Sequence, residues 1–98
     1  MKAVFIVYNQ AHTEKVDFML DQLGIRGYSG WNGLFGRGSV SGDPHMGSHT
    51  WPELNSAILT VVDDEKVDLL LKSIAEIDKI NFEVGIRAFV WEVLQQIP

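Results

Sequence analysis

Leu54 to Asp78 read LNSAILTVVDDEKVDLLLKSIAEID, and within these residues the hydrophobic period changes once. LNSAILTVV is a short apolar run rich in β-branched side chains, the pattern of a strand. From Asp63 onward Val67, Leu70, Leu71, Ile74 and Ile77 recur at helical spacing. Asp63 is placed as the N-cap, and acidic residues fill the first turn, where the helix dipole favours them. The stretch is a strand followed directly by a helix.

The N-terminal half repeats that order. AVFIVY (3–8) is a continuous run of β-branched and aromatic residues, as in a strand central to a sheet. After it Val16, Met19, Leu20 and Leu23 form one helical stripe, with His12 or Thr13 near the N-cap and Gly24 as the C-terminal stop. In GIRGYSGWNGLFG (24–36) the apolar residues Ile25, Tyr28, Trp31 and Phe35 are interleaved with glycines, which predicts a twisted or bulged strand. Beyond the second helix, FEVGIRAFVWEV (82–93) alternates with period two, a last strand. The expected fold is therefore α+β and ferredoxin-like, βαββαβ, with an antiparallel sheet, two helices on one face and a long loop between strands 2 and 3.

The chain has 98 residues, which fits one domain spanning 1–98. A net charge of −5 lacks the basic stripe that phosphate-backbone recognition needs, so nucleic acid is not an expected partner. There is no cysteine, hence no disulfide and no thiolate site. The first apolar run is too short for a signal-peptide core or a membrane span. A soluble, cytoplasmic protein without direct membrane insertion is expected.

Gly33 to Glu53, GLFGRGSVSGDPHMGSHTWPE, hold five of the nine glycines, two of the three prolines and two of the three histidines. A structureless segment of that length inside a small domain is usually functional or disordered. Function is therefore sought there first.

Strand 2 with its exit, GIRGYSGWNGLFGRGS, resembles the PII signal-transduction family, in which a G-[VI]-x-G opening and a later G-F-G-R precede a long loop. MKAVFIVYN, VVDDEKVDLLLKSI and IRAFV sit where that family has its equivalents, so the resemblance spans most of the chain. It implies a cytoplasmic homotrimer, regulatory rather than enzymatic, that binds adenine nucleotide (ATP, ADP or AMP) in clefts between subunits. It also implies that residues 38–53 form a loop docking on a regulated transporter or enzyme, with Asp43, His45, Met46, His49 and Trp51 as its contact residues. The nucleotide-binding residues implied are Phe35, Gly36, Arg37, Gly38 and Arg87. That assignment suits the chemistry, since glycine permits close backbone approach and a guanidinium pairs with phosphate oxygens. The chain departs from the family in three places. Leu34 replaces a glycine, no T-G-x-x-G-D-G-K turn precedes the last strand, and the segment 38–53 carries no tyrosine.

A second function class rests on DPHMGSH (43–49), where Asp43, His45 and His49, with Met46 as a soft donor, could hold a divalent metal as in a CutA-like metal-tolerance protein. Pro44 and Gly47 oppose a helix there, so these ligands would have to converge through a folded loop. An enzyme would need an acid–base pair or a nucleophile, and no such constellation is found. GLFGRGS fails as a phosphate-binding P-loop, because Ser39 stands where lysine is required.

Overall fold

The computed structural model describes residues 1–37, 44–45, 54–80 and 85–98. In chain order its elements are β1 (Lys2–Asn9), α1 (Thr13–Gln22), β2 (Tyr28–Leu34), β3 (Gly36–Arg37), β4 (Pro44–His45), β5 (Asn55–Val62), α2 (Asp64–Ile80) and β6 (Ile86–Glu92). Four strands form an antiparallel sheet in the order β2-β5-β1-β6. This is the expected ferredoxin-like arrangement, with β1 central and with β2 and β6 on opposite edges.

Period two divides the sheet into two faces. Val4, Ile6 and Tyr8 of β1, Ile58 and Val62 of β5, and Ile86 of β6 are buried in one core with Val16, Met19 and Leu20 of α1 and Leu70 and Ile74 of α2. Val67 and Ile77 pack partly against this core, as the helical stripe requires. Leu71, read into the same stripe, is instead 36% exposed. It follows Leu70 by about 100° around the helix, which turns it off the buried face.

The helix-end signals hold only in part. His12 stands at the N-cap of α1 as expected, at the end of a single 3₁₀ turn, Gln10–His12, but its side chain makes no capping hydrogen bond. The capping bond lies earlier: Asn9 Oδ1 accepts from the Ala11 N–H at 2.8 Å. Gly24 closes α1 with φ of +70°, a conformation that glycine adopts at little cost. The Lys66 ammonium of α2 donates to the adjoining Leu23 carbonyl at 2.8 Å, tying the end of α1 to the start of α2.

The expected bulge is present in β2, whose register against β5 shifts between Trp31 and Leu34. Gly33 supplies the left-handed conformation there, with φ of +71°. Residues 33–53 are not structureless throughout, because β3 pairs antiparallel with β4, Gly36 opposite His45 and Arg37 opposite Pro44. No helix among the described residues is long and apolar enough to cross a membrane.

Candidate functional site

Gly33 takes the left-handed conformation inside the bulged end of β2, and Phe35, just past that edge strand, is 72% exposed. The next two residues form the ribbon with β4, so the backbones of Gly36 and Arg37 lie at the base of the segment where function was sought. A Cβ built on Gly36 would meet only Asn55 Nδ2, at 3.5 Å, an ordinary contact among the described residues. Among the described residues, therefore, packing does not itself demand glycine here.

Arg87 lies on β6, at the opposite edge. One cross-strand row runs Trp31, Ala57, Val7, Arg87 across β2, β5, β1 and β6. Three strand spacings separate its ends, about 14 Å. The structure thus places Arg87 on one edge of the four-stranded sheet and the Phe35–Arg37 segment past the end of β2 on the other edge, with Gly36 and Arg37 in the separate β3–β4 ribbon, and does not bring them together within the chain. Gly38, Asp43, Met46, His49 and Trp51 lie outside the described residues, and of His45 only the strand pairing is described. Among the described residues no cluster of metal-ligating side chains occurs.

Between the two edges runs the sheet face that, among the described residues, carries no helix. Its side chains include Phe5, Trp31, Leu59, Val61, Phe89 and Trp91. Trp31, Phe89 and Trp91 are each about half exposed, at 45%, 54% and 49%. Phe5 and Trp31 meet edge to face, with ring centroids 6.2 Å apart. Exposed aromatic and aliphatic side chains gathered on one face are the kind of surface that an interaction partner covers. The alternation in FEVGIRAFVWEV puts Phe89 and Trp91 on it, one step out of phase with Ile86, Ala88 and Val90.

Polar groups that sequence reading did not single out gather at the same end of the sheet as Gly36. The Ser56 hydroxyl donates to Asn32 Oδ1 at 3.1 Å, across the β2 bulge. Asn9, Ser56 and His12 are all buried there, at 0%, 2% and 2% exposure. His12 Nε2 has no hydrogen-bond partner among the described residues. Burial drives the imidazole pKa below 6.5; Lys15 lowers it further, while Asp78 works the other way. Asn55 and Ser56 could have been noticed as two polar residues heading an apolar run, but nothing in the sequence marks His12 as buried.

The family model for nitrogen regulatory protein P-II matches residues 1–97. No curated protein matches the chain. Among solved structures, CPII from Thiomonas intermedia K12, a nitrogen regulatory PII-like protein bound to ADP, AMP and bicarbonate, superposes with a TM-score of 0.76 at 24% identity, over 99% of this chain and 93% of that one. CPII bound to ADP and bicarbonate gives a TM-score of 0.74 at 26% identity, over 92% and 82% of the two chains. A PII-like signalling protein from Thermus thermophilus shares the fold, with a TM-score of 0.63 at 21% identity over 92% of this chain and 82% of that one.

Proposed function

The chain belongs to the nitrogen regulatory protein P-II family, and from that membership we propose that it is a cytoplasmic nucleotide-binding signalling protein that works as a homotrimer. Adenine nucleotide is held in clefts between copies. Phe35, Gly36, Arg37 and Gly38 at the base of residues 38–53 form one side of the site, and Arg87 supplies a second phosphate partner. Occupancy of the cleft is passed through residues 38–53, with Asp43, His45, Met46, His49 and Trp51, to a regulated transporter or enzyme. No chemical step is assigned to the protein.

The observation that carries this reading is the apolar sheet face lying between two separated halves of the candidate site. Packing that face against other copies removes aromatic surface from water, which a domain this small needs. The same packing sets a neighbouring chain's edge beside each half of the site, so assembly and ligand binding become one event. The ADP- and AMP-bound CPII neighbours support adenine nucleotide as the ligand class.

A ligand held at the base of residues 38–53 acts on a partner by lowering the ordering cost that docking would otherwise carry. The test is isothermal titration of ADP, AMP and ATP together with the solution mass. The expected result is a trimer that binds at least one of the three nucleotides. A monomer, or a trimer indifferent to all three, would reject the reading.

A further inference from the structure

We propose that His12 is a proton-operated latch: taking up a proton opens the Gln10–His12 turn and loosens the two backbone hydrogen bonds that tie it to the heads of β5 and β6. The turn is held at both sides. The Gln10 N–H donates to the Leu54 carbonyl at 2.9 Å, and the Asn9 N–H donates to the Gly85 carbonyl at 3.2 Å. Leu54 directly follows residues 46–53 in the chain and Gly85 directly follows 81–84. The turn and Asn9, the β1 residue that caps it, therefore clasp the points where the chain enters two of the four strands of the sheet.

Inside that clasp the imidazole is almost wholly removed from solvent, being 2% exposed, and its Nε2 finds no partner among the described residues. A neutral ring tolerates such a place poorly, and a protonated one worse, because a buried cation without an acceptor has lost its hydration. Among the described residues the charged groups acting on it are Lys15 of α1, which opposes protonation, and Asp78 of α2, which favours it. Burial and Lys15 prevail over Asp78. The closed turn thus prefers the neutral ring, whereas an opened turn hands the imidazole to water and its ordinary proton affinity. Histidine is the side chain whose ordinary titration falls in the physiological range, so a shift in the acidity of its surroundings is the signal such a latch would read.

Linkage fixes the size of the effect. With an open-state pKa of 6.5, one pH unit of acidification below it raises the open population by up to about tenfold. The experiment is an NMR titration of the intact chain, following the His12 imidazole and the hydrogen-exchange protection factors of the Asn9 and Gln10 amides between about pH 7.5 and about pH 5.5. The expected result is an imidazole titrating below 6.5 and a selective fall in protection at Asn9 and Gln10, while Val4 and Ile6 in mid-strand keep theirs. His12→Phe should remove the selective fall, with His12→Gln as the second variant should the first not fold. An imidazole that titrates at or above 6.5, protection that is constant or falls equally along β1, or a variant that keeps the pH response would each overturn the latch. No ligand enters the measurement, so its outcome is independent of the nucleotide reading.

Discussion

At the scale of single residues, Gly36 separates what the fold requires from what a ligand would require. Its backbone is paired with His45, and a side chain there would make only an ordinary contact with Asn55. Gly36→Ala is therefore expected to change stability by no more than about 0.5 kcal/mol in urea denaturation. In the proposed site the ligand approaches this backbone, and the same change should then weaken ADP binding by about tenfold or more. Equal ADP affinity in the two proteins would remove Gly36 from the site. Arg87→Ala should likewise weaken ADP by about tenfold or more, the loss of a hydrogen bond to a charged group. His12 makes a separate prediction about stability against pH. Its folded-state pKa lies below the unfolded value of 6.5. Above 6.5 both states hold a neutral ring and the contribution is complete. As pH falls through that value the unfolded chain binds the extra proton first, so stability declines until the folded-state pKa is reached. A plot of urea midpoint against pH should show this decline in the wild type and a weaker one in His12→Phe.

At the scale of elements, the α2 stripe shows how far periodicity reaches. Leu70 is 0% exposed and Leu71 36%, although they are neighbours in an unbroken run of leucine. Leu70→Ala is expected to cost about 2–5 kcal/mol, because it opens a cavity beneath the sheet. Leu71→Ala should cost about 0.5 kcal/mol or less. Chemical denaturation of the two variants checks the pair, and similar losses would mean that α2 packs through a wider face than the structure shows. The β2 bulge has a comparable logic. It depends on Gly33 in the left-handed conformation, and it is what carries Phe35 out of the sheet and turns the chain toward the β3–β4 ribbon.

At the scale of the whole molecule, the two faces of the sheet differ in what covers them. One is covered by α1 and α2, and the other presents Phe5, Trp31, Phe89 and Trp91 without a helix over them among the described residues. Phe89→Asp should leave the folded core untouched, since the residue is 54% exposed in the single chain. Placed between copies, however, an unpaired carboxylate would be buried at high cost. The expected outcome is a native circular dichroism spectrum with a sedimentation mass shifted from trimer toward monomer, and a parallel loss of ADP binding. A variant that stays trimeric would show that this face is not the contact.

The order of strands and helices, the core stripes apart from Leu71, the bulge in β2 and the family were legible in the residues alone, because each is written in local spacing: period two, period near four, and glycines where the backbone must turn. The sequence also named Gly36 and Arg87, whose chemistry is legible from residue type. Tertiary contacts were needed to place Arg87 on the far edge of the four-stranded sheet and Gly36 in the separate β3–β4 ribbon, to show that the side-chain capping bond comes from Asn9, and to show that His12 is buried with a nitrogen unpartnered among the described residues. Those facts depend on contacts between residues far apart in the chain, such as Gln10 with Leu54 and Asn9 with Gly85. Burial and electrostatic environment are properties of such contacts, and no local pattern carries them.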